Sequence, residues 1–214
     1  MRRLLIFALA LMALSACNAP PDASPSPPTR EAVITPTPTP QPAPTLFPTL
    51  SLTPTLAVGW KTLTSTAGGF SISMPNMPSE QVQAADSSLG HVQLHMFMDN
   101  KGSAAYLVGY ADYPAGAVSQ ARVTDLLSNA VNGAVTNVSG KLISRTFGSL
   151  DGVPGVEFSG EIPPNSQRSI TGVMQGRMFF RGNRLYQIIV VMTQGQEEQA
   201  QGYLFLDSFR FLGQ

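Results

Sequence analysis

A single cysteine, Cys17, leaves the chain without an internal disulfide framework or a cysteine-rich zinc site. Surplus charge is missing too. Thirteen Lys and Arg balance 13 Asp and Glu, which gives no support for nucleic-acid binding, a function that wants a basic domain or stripe, and no nucleic-acid partner is expected. With only two histidines, His91 and His95, a histidine-rich metal site is excluded. If they stand on one strand, four residues of rise hold their Cα atoms about 13 Å apart, too far to share a zinc ion. No serine sits in a Gly-x-Ser-x-Gly elbow, and the stretch Gly172-Val173-Met174-Gln175-Gly176-Arg177 lacks the Lys-Ser/Thr of a phosphate loop. No cofactor and no metal is expected. The apolar run over residues 4–14 falls short of the roughly 20 residues needed to cross a bilayer.

That short run has a different use. Arg2 and Arg3 precede it and small residues follow, the pattern of an export signal over residues 1–16. Leu14-Ser15-Ala16-Cys17 resembles the lipobox of bacterial lipoproteins. The resemblance implies cleavage before Cys17, a diacylglyceryl thioether on its sulfur, and acylation of the new amine by a chain such as palmitate. A thiolate is the soft nucleophile that such a lipid transfer needs. Two or three acyl chains anchor stably where one does not. The expected address is the extracytoplasmic side of a cell membrane, with the membrane as partner through the N-terminal lipid.

Residues 17–57 read as a lipidated N-terminus followed by a disordered tether. Between Asn18 and Leu56 stand 12 Pro and eight Thr, centred on Thr35-Pro36-Thr37-Pro38-Thr39-Pro40, with few charges. Such a segment cannot bury enough apolar surface to order itself and is biased to polyproline II. Fully extended, it reaches about 120 Å. It is a spacer that lifts a domain from the membrane.

Residues 58–214 carry alternation and turn residues rather than long helical periods. Strands are expected over 60–64, 70–74, 81–85, 91–98 and 104–110, then over 141–147, 156–162, 170–180 and 185–193. A helix fits 119–135, with Ser119 as cap, Val123, Leu126, Leu127, Ala130 and Val131 on one stripe, and Gly133 weakening its end. A closing helix fits 196–209, with Ala200, Tyr203, Leu204 and either Leu206 or Phe209 inward. Strands joined by short turns are antiparallel. The fold class is therefore α+β, a mostly antiparallel β-sheet covered by helices, preceded by the Pro/Thr-rich linker.

Three pieces of this region resemble the PsbP-like family. They are Phe70-Ser71-Ile72-Ser73-Met74-Pro75, then Gly152-Val153-Pro154-Gly155-Val156-Glu157-Phe158, and then Asn183-Arg184-Leu185-Tyr186-Gln187 with Phe205-Leu206-Asp207-Ser208-Phe209. The resemblance spans most of residues 60–211. It implies an α/β/α sandwich around a central antiparallel sheet, in a family that holds photosystem II extrinsic subunits and many bacterial lipoproteins of unknown role. No functional residue of the photosynthetic members is matched here, so it implies no such activity.

Two surface features point to chemistry. Arg168, Arg177, Arg181 and Arg184 fall in one hairpin region, with Arg177 and Arg181 on one strand face. Guanidinium groups suit bidentate capture of carboxylate or phosphate, so Arg177, Arg181 and Arg184 are anion-binding candidates, for an envelope polymer or a lipid head group. Glu157 and Glu161 share a strand face, which keeps carboxylate catalysis open, and a spatial pairing of these with Asp151 is not visible in the sequence. Seven methionines in the domain fit an ordinary core or an adaptable apolar pocket. The function expected is a membrane-anchored, non-catalytic module that binds an envelope protein or a small ligand. The alternative is a cell-envelope hydrolase or transferase using strand-borne carboxylates.

Overall fold

The run Leu185-Tyr186-Gln187-Ile188-Ile189-Val190-Val191-Met192 is nearly all apolar, which a strand can bear only if both its faces are covered. A computed structural model, which describes residues 45–46, 59–87, 89–165, 169–197 and 201–213, places this run in the middle of an eight-stranded sheet. The strands are β1 (Thr45–Leu46), β2 (Lys61–Ser65), β3 (Phe70–Met74), β4 (Glu80–Ser87), β5 (Gly90–Lys101) and β6 (Ala104–Asp112). After helix α1 (Val123–Asn137) come β7 (Lys141–Leu150), β8 (Val153–Ile162), β9 (Gly172–Arg181) and β10 (Arg184–Thr193). Helix α2 (Gly202–Asp207) and β11 (Arg210–Phe211) close the described chain.

The large sheet has the order β1-β7-β8-β9-β10-β6-β5-β4, antiparallel except where β1 joins β7. Leu185 and Ile189 of β10 turn to one face, with Leu94, Met96, Leu107, Phe158, Met174 and Met178, and α1 lies over them. Tyr186, Ile188, Val190 and Met192 turn to the other. On that second face the described residues place a three-stranded sheet, β11-β3-β2, together with the short α2. Where helical layers were expected on both sides, the described residues thus place the long α1 on one side and, on the other, a small sheet with the six-residue α2.

Tight turns set the register. Asp151 (φ 51°) and Gly152 (φ 76°) both occupy the left-handed region, the type I′ geometry that joins Leu150 to Val153 without splaying β7 and β8. Gly182, at φ 62°, opens the turn that pairs Arg181 with Arg184. Space matters as much as torsion at Gly176, which faces Phe158 across β8 and β9. A Cβ there would stand 2.6 Å from the Phe158 ring, so the bare backbone is the seat of that ring.

Helix α1 buries Val123, Leu126, Leu127, Ala130, Val131, Ala134 and Val135, the three- and four-residue spacing of one stripe. Burial of Leu127 and Val131 is worth about 2 kcal/mol each. Its entry differs from expectation: a 3-10 turn over Gln120–Arg122 leads in, and the Ser119 side chain makes no capping bond. Gly133 does not mark the helix end either: it is buried within the helix, and the end comes at Asn137, with Ser139 left-handed and the Gly140 N–H donating to the Val135 carbonyl at 2.9 Å. Of the closing helix expected over 196–209, residues 198–200 lie outside the described residues, and its described later part, α2, ends at Asp207. Tyr203 and Leu204 are exposed, whereas Phe205 and Leu206 face inward, and Phe209 is buried beyond the helix end. Ala200 lies outside the described residues.

The second face is aromatic. Phe70 meets Phe97, Tyr110 and Tyr186 edge-on at 6.0–6.4 Å between centroids and stacks on Phe209 at 5.7 Å. The Ser208 hydroxyl accepts from the Ser73 N–H at 2.9 Å and donates to the Phe205 carbonyl at 2.7 Å, fastening the end of α2 to β3. Five of the domain's methionines, Met74, Met96, Met174, Met178 and Met192, are buried in the two cores.

Candidate functional site

Alternation on β9 and β10 puts Arg177, Arg181 and Arg184 on the face that carries Phe179 and Tyr186, beneath the small layer. Each guanidinium holds a different piece of that layer. Arg177 donates from Nε to Glu157 at 2.7 Å, pairs through Nη1 with Asp207 at 2.8 Å and reaches the Leu206 carbonyl, so it joins β8 and β9 to α2. Arg181 donates to the Leu212 and Gly213 carbonyls at 3.1 and 3.3 Å and lies over the Phe211 ring. Arg184 grips both oxygens of Asp112 at 2.6 Å and donates to the Ala67 and Gly68 carbonyls at 2.7 and 3.0 Å. Bidentate bonding to Asp112 raises its pKa still further, with burial acting against that rise. The three candidates therefore share one face but are spent as ties between layers. Arg168 and Cys17 lie outside the described residues.

The carboxylates proposed from the strand pattern do not converge. Glu157 is bound to Arg177, Glu161 opposes Lys141, and Asp151 sits in the β7–β8 turn. Among the described residues no group of three or more His, Cys, Asp and Glu is placed to hold a metal ion. His91 is an exposed residue paired with Asp86 directly across the β4–β5 hairpin.

His95 has a richer setting. It stands directly opposite Tyr110, and the two rings stack at 4.5 Å and 6°. Glu80, diagonal to it on β4, lies 2.7 Å from its Nδ1 and accepts from the Tyr110 hydroxyl at 3.4 Å. The Arg184 guanidinium lies 4.6 Å from the centre of the Tyr110 ring. Burial, followed by the Glu80 charge, raises the Tyr110 pKa. Glu80, His95, Tyr110, Arg184 and Asp112 thus form a continuous row across β4, β5, β6 and β10, half-exposed at its Glu80 and His95 end. Sequence reasoning weighed His95 only as a metal ligand, too far along a strand from His91 to share a zinc ion. Its signal was present in the hairpin register, which sets position 80 diagonal to position 95.

β4 is the last strand of the large sheet, and among the described residues no strand pairs with its outer side. Most of its side chains are exposed, and Val82 is 54% exposed. The row and this edge form one continuous surface, in which ordered aromatic and charged groups adjoin unpaired backbone.

No family model matches the chain, and no curated protein matches it. Among solved structures it is similar to cyanobacterial PsbP (CyanoP) from Synechocystis sp. PCC 6803, at 12% identity and a TM-score of 0.48, over 72% of this chain and 94% of that one. It is also similar to PA94, a protein of unknown function from Pseudomonas aeruginosa, at 9% identity and a TM-score of 0.37, over 67% of this chain and 90% of that one. A third, from Bacteroides thetaiotaomicron, has 11% identity and a TM-score of 0.39, over 73% of this chain and 50% of that one. The class that the strand order defines is a mostly antiparallel α+β domain with few helices.

Proposed function

We propose that the protein is an extracytoplasmic lipoprotein, held to the cell membrane through lipid on Cys17, whose PsbP-like domain is a non-catalytic module that binds an envelope protein along β4. One observation carries the binding part: an eight-residue, largely exposed terminal strand lies beside the ordered row from Glu80 to Asp112. An extended segment of a partner adds to such an edge through main-chain hydrogen bonds, and flanking side chains give it selectivity. The stacked His95–Tyr110 pair and the Glu80 carboxylate supply those flanks. The family reading rests on the quoted motif pieces, which fall on β3, the β7–β8 turn with β8, the β9–β10 turn with β10, and α2. The address rests on the lipobox, the export signal and the tether. No helix among the described residues is long and apolar enough to cross a membrane.

The hydrolase or transferase reading has less support, because the carboxylate it depends on, Glu157, is engaged by Arg177. Site-specific photo-crosslinking in the host's own membranes separates the two readings. A crosslinker at Val82 is expected to give one discrete protein adduct that a crosslinker at the exposed Tyr203 does not. The absence of any adduct at Val82, or the same adducts at both sites, would overturn the β4 reading. Turnover of an envelope-derived substrate that is lost in Glu157→Gln would establish the enzyme instead.

A further inference from the structure

Hairpin parity fixes which backbone groups of β4 are open. Lys101 and Ala104 flank the two-residue turn Gly102-Ser103, in which Gly102 is left-handed at φ 63°, so this pair exchanges both backbone hydrogen bonds. Counting back by twos along β5, Asp99, Phe97 and His95 also bond to β6, whereas Met96, Leu94 and Val92 bond to β4. Their partners there are Gln81 opposite Met96, Gln83 opposite Leu94 and Ala85 opposite Val92. Glu80, Val82, Ala84 and Asp86 therefore present their N–H and C=O groups to the outside, where no strand pairs with them among the described residues.

The side chains of the same four residues share one face, because Val82 stands directly opposite His95 and His95 opposite Tyr110, on the side of the small sheet. Acid stands at both ends of this row and apolar carbon in the middle. Glu80 uses one oxygen, Oε1, for both His95 and Tyr110, and its Oε2 has no hydrogen bond to the described residues. Asp86 is likewise tied through Oδ1, to His91, with its side chain 81% exposed. A carboxylate has room for about four hydrogen bonds in all. The other face of β4 carries Gln81, Gln83, Ala85 and Ser87, with no charge, and no Lys or Arg stands anywhere on the strand.

We propose that the segment taken up by β4 is an extended, basic-flanked strand. It carries Lys or Arg at two positions with the six-residue spacing of Glu80 and Asp86, and an apolar residue at one of the two same-face positions between them. This rests on the β4 reading above and names the chemistry of its partner. Main-chain bonds to residues 80, 82, 84 and 86 place the partner's alternate side chains on the same face, beside Glu80, Val82, Ala84 and Asp86. A cation beside Glu80 reaches Oε2, the second cation reaches Asp86, and the apolar residue covers Val82. The spacing reads the same in both directions, so it serves a parallel or an antiparallel partner. A second copy of this chain fits badly. Laying β4 antiparallel on its own equivalent, so that all four positions pair, sets Glu80 against Asp86 at both ends, like charge against like.

Photo-crosslinking of the full-length protein in the host's own membranes, with the probe at Val82, tests this once the captured peptide is sequenced by mass spectrometry. The captured segment is expected to carry Lys or Arg at the two positions described, on either side of the residue joined to the probe. Adduct yield should fall about threefold or more in Glu80→Gln with Asp86→Asn, and be lost in Glu80→Lys with Asp86→Lys. Asp125→Asn with Glu161→Gln makes the same change in net charge as the first pair, on α1 and β8, and should leave the yield unchanged. A discrete adduct whose segment lacks those cations, or whose yield survives charge reversal, would overturn this proposal while leaving β4 as the docking edge. A crosslinked dimer of this chain would overturn it too. No adduct in the parent protein would overturn the β4 reading and this proposal together. The captured sequence is read from the parent, so the test stands even where a variant folds poorly.

Discussion

Arg184 and Asp112 stand directly opposite each other at the ends of β10 and β6, joined by two hydrogen bonds of 2.6 Å, and the third arm of the guanidinium reaches up to the carbonyls of Ala67 and Gly68. One residue thus closes the sheet beneath and holds the β2–β3 turn above. Tyr186 adds a hydroxyl bond to the same Gly68 carbonyl at 2.9 Å.

Arg184→Ala should destabilise the fold by about 2 kcal/mol, the loss of charge-assisted hydrogen bonds that leaves carbonyl acceptors unpaired. Arg184→Lys should recover little, because an ammonium cannot span the carboxylate and the two carbonyls at once. Urea unfolding should show a lower midpoint with an unchanged slope. Amides of the turn at residues 66–69 should exchange faster than in the parent protein.

Gly176→Ala should cost about 1–3 kcal/mol by overpacking, since the new methyl meets the Phe158 ring and lies 3.0 Å from the Ile188 carbonyl oxygen. Gly102→Ala is an informative contrast. Its Cβ would meet open space, so any loss there comes from its positive φ alone. Thermal unfolding of both variants measures the difference.

Burial, and after it the charge of Asp99, pushes the Tyr106 phenol up to about 12 from an ordinary value of 10.0. The unfolded chain releases this proton near pH 10, while the folded chain holds it to about pH 12. The folded state therefore binds more protons between those values, and its stability should be full below about pH 10 and fall as pH rises toward 12. Tyr106→Phe should flatten that fall. Denaturant midpoints measured at intervals from about pH 9 to 12 check it.

Much of the sheet was legible in the sequence because period-two alternation and turn residues are local signals. The strands expected over 104–110 and 141–147, for example, fall within β6 and β7. The second layer was not legible. Phe70, Ile72 and Met74 read as one more strand, and nothing local says that they pair with Arg210 and Phe211, far along the chain, rather than join the large sheet. The inward side of the closing helix was misjudged because Tyr203 and Leu204 carry apolar character yet face solvent. The arginines were recognised as one hairpin region, with Arg177 and Arg181 on one face, but not as ties, since Asp112 and Asp207 reach them only through pairings distant in sequence. Glu80 beside His95 was missed for the same reason at shorter range. Two strands four to five ångströms apart bring them together, and no motif spacing marks it.

Native mass spectrometry of the protein, recovered gently from its own host with the denatured mass recorded alongside, tests the central claim most directly. The expected result is a chain cleaved before Cys17 and carrying acyl mass there, with a protein-sized addition in the native spectrum that disappears when Val82 is changed to Pro. Cys17→Ser should abolish the acyl mass and release the protein from the membrane fraction or leave an uncleaved precursor. An unacylated chain that runs as a bare monomer would contradict both the anchor and the binding role.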